Sequence, residues 1–283
     1  MKIGVSSYSF TKYISQTGSD IFAVIDKAKE MGFEGIEFIG LESYAKEGED
    51  LISLAGKIKE HCEKTGIEII NYAIGANFLA VDIDAEIDKV KKSVDIAAAL
   101  GSPCMRHDVC YSLPKEHLYT WHNAVKEMAP RIREVSEYAK LKGVKTCTEN
   151  HGYIFQAPER VEALIREVNH ENYGWLCDMG NFLCADADPV HAVAIAAPYT
   201  FHVHAKDFLL KSGDVDCPKG FFTTLGGNHI RGTAVGHGVV PVKNCITALK
   251  RVGYDGYVAI EFEGMEDNIP ALEAGLDFLK KTV

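Results

Sequence analysis

Eight times along this chain, a short β-like segment is followed by an amphipathic helical stretch. That alternation confines its fold more than any other feature. The strand-like segments cover residues 2–10, 34–40, 67–74, 103–109, 144–150, 174–179, 200–206 and 257–263. The helical ones cover 20–31, 49–65, 85–100, 115–142, 158–168, 188–197, 241–252 and 268–281. Gly32, Gly66, Gly101 and Gly143 stop the first four helices. Strands joined through helical crossovers run parallel. Eight such units close into a (β/α)8 TIM barrel, for which about 250 residues is typical, and the 283 residues here read as one such domain over 1–283. An open doubly wound sheet would place a glycine-rich phosphate turn after its first strand. This chain has Ser6-Ser7-Tyr8-Ser9-Phe10 there. Connections are short except for residues 209–240, which are expected to form a long functional loop without regular structure.

Composition bears on partners. With 47% hydrophobic and 25% charged residues, the chain can bury a large core. A formal net charge of −10 opposes a phosphate backbone, so nucleic acid is a poor partner. The eight cysteines include no CxxC pair and read as reduced thiols. No signal peptide or membrane span is apparent, and a cytoplasmic location is expected.

A barrel of this kind carries its active site at the C-terminal ends of its strands. There, strand five ends in Glu149, strand six in Asp178, strand seven runs through His202 and His204, and strand eight through Glu261 and Glu263. Period-two alternation puts Val203 and Ala205 on one face with Phe201, and His202, His204 and Lys206 on the other; Glu261 and Glu263 likewise share a face. If the apolar faces pack on the outer helices, three carboxylates and an imidazole converge in the mouth. Crowded carboxylates repel one another and resist burial, and a divalent cation is the usual resolution. Mixed oxygen and nitrogen donors suit Mn²⁺, with Mg²⁺, Co²⁺ and Zn²⁺ as alternatives. Any one of these residues alone is as readily a helix cap, a solvated loop residue or a hydrogen-bonded core histidine. The recurrence at four successive strand ends carries the metal reading.

These residues belong to a set of motifs: GVSSYSF at 4–10, FEGIEF at 33–38, ENHG at 149–152, DMGN at 178–181, HVHAKD at 202–207, GHG at 236–238 and IEFEG at 260–264. In this order and spacing the chain resembles, over essentially its whole length, the xylose-isomerase-like barrel superfamily. The match is to its sugar-phosphate isomerase/epimerase branch, which includes ketose 3-epimerases and inosose isomerases and dehydratases. The resemblance implies Glu149, Asp178, His204 and Glu261 as ligands of one divalent metal, choosing His204 over His202 and Glu261 over Glu263. It implies a sugar or polyol ketone as substrate, with Glu149 and Glu261 moving a proton next to a polarised carbonyl through an enediolate. A dehydratase acting on a keto-cyclitol or keto-sugar is the alternative. Ketose 3-epimerases usually carry a His where this chain has Asn181 and an Arg where it has Leu210, which weakens a simple free-ketose 3-epimerase. The trinuclear-zinc DNA-repair branch needs that same His and an Asp-x-His, both absent.

The expected substrate contacts are Tyr8, His107, His151, Asn181 and Lys206. Lys206 and Asp207 could also orient His204 or form a strand-exit ion pair. Glu37 reads as scaffold, Arg231 and His229 as solvated loop residues, and Trp175 and Phe201 as barrel-to-helix packing. Barrels of this branch often pair, so a homo-oligomer is expected.

Overall fold

The computed structural model describes residues 1–283. The barrel strands are β1 (Lys2–Ser6), β2 (Gly35–Ile39), β3 (Glu68–Ile74), β4 (Cys104–His107), β5 (Lys145–Glu149), β6 (Tyr173–Asp178) and β7 (Thr200–Ala205). Three strands of a separate sheet follow, β8 (Asp207–Lys211), β9 (Phe222–Thr223) and β10 (His229–Thr233), before the eighth barrel strand, β11 (Tyr257–Ile260). The barrel closes in the order β1-β11-β7-β6-β5-β4-β3-β2, with every pairing parallel.

The outer helices are α1 (Thr11–Thr17), α2 (Ile21–Met31), α3 (Leu51–Thr65), α4 (Ile83–Leu100), α5 (Trp121–Leu141), α6 (Pro158–Val168), α7 (Pro189–Ala196), α8 (Val242–Arg251) and α9 (Asn268–Lys280). Local chemistry sets their limits. Asp20, Asp50, Asp82 and Asp188 each accept a hydrogen bond from the backbone N–H three residues on. A reciprocal box between Thr120 and Asn123 starts α5 at Trp121, six residues later than the sequence pattern suggests. No helix is long and apolar enough to cross a membrane.

Three expectations need correction. The first strand stops at Ser6, because the Ser6 hydroxyl accepts the Tyr8 N–H and turns the chain into a 3-10 helix over Ser7–Phe10. Residues 209–240 are not structureless: they contain the strands of an antiparallel sheet ordered β8-β10-β9, begun at Asp207. Its own small core is Cys184, Phe208 and Ile230, with Phe222 packed on it.

The third correction concerns face parity. Trp175 pairs with Thr200 and Leu176 with His202, so β7 carries an extra residue, Phe201, in a bulge. Phe201 therefore turns inward with His202 and packs on Cys104, Cys147 and Leu176 at the barrel floor. A second bulge in β3, where Ile36 pairs with Ile69 and Glu37 with Asn71, leaves Ile70 as the extra residue. Glycines make room for both: a Cβ at Gly174 would lie 2.8 Å from the Phe201 ring, and one at Gly35 2.4 Å from Ile70. The outward faces join the helices in a core of 68 buried residues that includes Trp175.

Candidate metal centre and its cavity

Four strand ends supply the centre. Glu149 ends β5, Asp178 ends β6, His204 lies next to last in β7, and Glu261 follows β11. One donor atom from each lies within 4.8 Å of the others, and all four residues are buried. His204 Nδ1 is 3.8 Å from Glu149 Oε1, 3.7 Å from Asp178 Oδ2 and 3.5 Å from Glu261 Oε2. His204 Nδ1 and Asp178 Oδ2 have no hydrogen-bond partner. Buried polar atoms without partners are rare and need an explanation.

The surroundings fix these donors. His204 Nε2 donates to Glu37, 2.9 and 3.1 Å from its two oxygens, and Asn71 donates to the same carboxylate at 2.7 Å. A carboxylate on Nε2 places the proton there and leaves the Nδ1 lone pair facing the quartet when the ring is neutral. Asp178 Oδ1 accepts the Gly180 and Asn181 N–H groups, both at 2.8 Å, which aims Oδ2 into the mouth. Asn150 clamps β5 to β6, accepting from Asp178 N and Trp175 Nε1 and donating to Asp178 O.

Two cations balance the carboxylates. Arg106 reaches Glu149 at 2.6 Å and Asp108 at 3.0 Å. Lys206 Nζ lies 2.5 Å from Glu261, 3.4 Å from Asp178 and 3.3 Å from Glu263. Burial opposes ionisation of Glu261, but the Lys206 and His204 charges hold its carboxyl down to about 2. Glu149 is likewise held well below the usual carboxylate range, against burial, chiefly by Arg106. Burial disfavours a charge on His204, yet Glu37 and Glu261 raise its pKa well above the ordinary histidine value. His204 and Lys206 thus both bring positive charge to the carboxylates.

A cavity of about 300 Å³ opens over the centre, lined among others by Tyr8, Arg106, Asp108, His151, Lys206 and Glu263. A smaller one of about 140 Å³ continues from it past Asn181, Tyr153 and Phe222, sharing His151, Lys206 and Glu263. A larger hollow of about 510 Å³ lies at the other end of β3, beside the C-terminal ends of α3 and α4, away from the centre.

Of the expected substrate contacts, Tyr8, His151 and Lys206 line the main cavity and Asn181 the smaller one. Asn181 Nδ2 donates to Glu149 at 2.8 Å, and Lys206 donates to Asn181 Oδ1 at 3.2 Å. His107 does not belong to the site. It is fully buried between the rings of Phe78 and Tyr173, at centroid distances of 5.1 and 5.7 Å, and burial lowers its pKa to about 4. Its strand neighbours Arg106 and Asp108 enter the mouth instead. Parity could have found them, since Met105 marks the outward face and carries His107 with it. Asp207 faces away from the centre and accepts the Phe208, Gly236, Gly238 and Val240 N–H groups. His229 bonds Thr223 and Val215, and Arg231 lies over Phe221 beside Met265; neither lines the cavities.

A family model described as a xylose isomerase-like TIM barrel matches residues 25–282. Over 99% of this chain and 90% of the relative, the sequence is 22% identical to the uncharacterized protein MJ1311 of Methanocaldococcus jannaschii. Among solved structures, the probable 3-DHS dehydratase AsbF of Bacillus anthracis matches with a TM-score of 0.76 and 20% identity, covering 99% of both chains. IOLI, solved with a bound zinc atom, gives 0.76 and 17% identity over 100% of this chain and 99% of that one. The 3-keto-D-glucoside 4-epimerase YcjR of E. coli gives 0.71 and 17% over 99% of both. At such identities the structural likeness shows a shared barrel. With the family match covering most of the sequence, the closed eight-stranded chain belongs to the xylose isomerase-like TIM-barrel family.

Proposed function

We propose that this protein is a divalent-metal-dependent isomerase or epimerase of keto-sugars or keto-polyols. The observation that carries this reading is the pair of buried atoms without a hydrogen bond, His204 Nδ1 and Asp178 Oδ2, grouped with Glu149 and Glu261 within 4.8 Å. Three carboxylates and one imidazole with a pre-set tautomer suit a divalent ion such as Mn²⁺ or Zn²⁺, and the IOLI barrel holds zinc. Glu149, Asp178, His204 and Glu261 would hold the ion, which when bound supplies Lewis-acid polarisation of a substrate carbonyl.

The chain's own groups supply the proton chemistry. Glu149 and Glu261 come from β5 and from the end of β11, on either side of Asp178 and His204 in the barrel order. Each is kept ionised by its own cation, Arg106 or Lys206, so each can accept a proton at a carboxylate oxygen. One takes the proton from the carbon next to the carbonyl. The other, having first picked up a proton from solvent or, for Glu261, from the Lys206 ammonium 2.5 Å away, returns one to the opposite face or to the adjacent carbon. Tyr8, His151 and Glu263 border the same space and can orient hydroxyl groups.

The test is solvent-deuterium exchange into a panel of ketoses, inososes and keto-glycosides, alongside metal analysis of the purified protein. Exchange should require metal, and Glu149→Gln and Glu261→Gln should each lower it by about 10²–10⁴-fold. Wild-type exchange in both variants would overturn the assignment.

A dehydratase is the second reading, favoured by one observation. Lys206 Nζ is a buried ammonium in the cavity wall, touching Glu261, and can give a proton to a departing hydroxide. A product lighter by one water would select this reading over epimerisation.

A further inference from the structure

We infer that the substrate is an uncharged polyhydroxy ketone, bearing neither a phosphate nor a carboxylate, because the mouth is lined by carboxylates whose cations are already paired and the glycine-rich turn after the seventh barrel strand is closed on the chain's own Asp207, outside the cavity. The inference rests on the function proposed above and narrows its substrate class.

The charges around the cavity come first. Asp108, Glu149, Asp178, Glu261 and Glu263 face Arg106 and Lys206. Even with a divalent ion added, this set stays one negative charge in excess. Both cations are already engaged. Arg106 spends one nitrogen on Glu149 and Asp108 and another on the Ile74 carbonyl at 3.1 Å. Lys206 is shared among Glu261, Glu263, Asp178 and Asn181. His151 is the one further group that could become cationic, and Asp108 holds its Nδ1 at 2.9 Å. Arg231 lies over Phe221 beside Met265 and lines neither cavity. An incoming phosphate would meet Asp108 and Glu263, with Arg106, Lys206 and His151 already held by carboxylates.

The second observation is independent and concerns the backbone. Barrels that bind phosphates often use the loops after the seventh and eighth strands, where N–H groups converge. In this chain the GHG turn after the seventh barrel strand makes such a nest. The Gly236, Gly238 and Val240 N–H groups converge at 2.8–3.0 Å on the carboxylate of Asp207, which also takes the N–H of Phe208. Asp207 is 1% exposed. A Cβ at Gly238 would lie 2.2 Å from its Oδ1, so the turn is closed tightly around that side chain. These N–H groups are spent on Asp207 and line neither cavity, so the turn gives no backbone donors to a ligand in the mouth.

What the mouth does offer suits hydroxyl groups. Asp108 and Glu263 are acceptors for O–H donors, and Tyr8 and His151 can give or accept. The volume of about 300 Å³ is at the small end for ligand sites and fits one sugar or cyclitol ring.

The experiment uses the full metal-loaded chain and calorimetric binding. The neutral probes are the D-ketohexoses and 2-keto-myo-inositol; the anionic probes are the ketohexose 6-phosphates, 3-dehydroshikimate and inorganic phosphate. At least one neutral probe should bind, with its charged counterpart about 100-fold weaker or worse, and inorganic phosphate should not compete. Glu263→Gln, which removes one mouth carboxylate and releases part of Lys206, should narrow the neutral-to-phosphate ratio by roughly tenfold. A phosphorylated or carboxylated probe binding as well as the neutral ones, or no neutral probe binding, overturns the inference. Deuterium exchange on the same samples reads the chemistry separately. Neutral binding without exchange would overturn the proposed function and leave the charge selectivity standing.

Discussion

His204 is the residue on which the centre turns, because its two ring nitrogens face different partners. Nε2 is braced by Glu37 and Nδ1 faces three carboxylates without a hydrogen bond. The free protein favours the doubly protonated ring, since Glu37 and Glu261 overcome burial and raise its pKa. A metal ion binding at Nδ1 as proposed would displace the proton there, so uptake would release a proton. Apparent affinity should therefore rise with pH, by up to about tenfold per unit while the proton is still bound. Competition with a chelator between about pH 6 and pH 8 reads this slope. Glu37→Gln removes the brace and should weaken metal binding about 10–100-fold. An unchanged affinity would mean that Glu37 only fills space beside His202 and Asn71.

Among the elements, β7 decides which side chains reach the mouth. Its bulge at Phe201 turns two consecutive residues inward and needs the hydrogen at Gly174 to do so. Gly174→Ala would put a methyl group 2.7 Å from the Tyr199 carbonyl and 2.8 Å from the Phe201 ring. One of those neighbours is backbone and cannot swing away. The variant should lose about 1–3 kcal/mol in chemical denaturation, the usual cost of overpacking. No loss would show that the strand can shed its bulge. The sheet of β8, β9 and β10 is the other element that matters. Asp207 pins the turn after it, and Phe222 carries it into the wall of the smaller cavity.

For the whole molecule, the proposed ion would add to what Arg106 and Lys206 do for the buried carboxylates. Glu149, Asp178 and Glu261 are buried side by side, and buried charges are costly unless paired. Divalent ion at a hundredfold excess over its Kd should stabilise the protein by about 2.7 kcal/mol. Denaturation with Mn²⁺ and with chelator measures that increment, and Asp178→Asn should abolish most of it. An increment that survives in this variant would place the ion elsewhere.

The alternation of apolar strands with capped helices determined the barrel, because local hydrogen bonding and hydrophobic period act within a dozen residues. It also brought Glu149, Asp178, His204 and Glu261 to neighbouring strand ends, since a closed parallel barrel leaves few other places for them. What the sequence left to the tertiary structure depends on contacts between residues far apart. Phe201 and Ile70 turn inward because bulges slip the register by one residue, a choice made by Gly174, Gly4 and Gly35 on other strands. Strand parity already sends Arg106 inward and His107 outward; the tertiary structure adds the reach of the guanidinium to Glu149 and the seat of the imidazole against the edge of Phe78 and the face of Tyr173. The β8–β10 pairing joins residues 18 to 26 apart, and the GHG turn captures Asp207 from about 30 residues away, both beyond any local pattern. Chain order thus determined which groups stand at the rim, and packing between strands decided which way each one points.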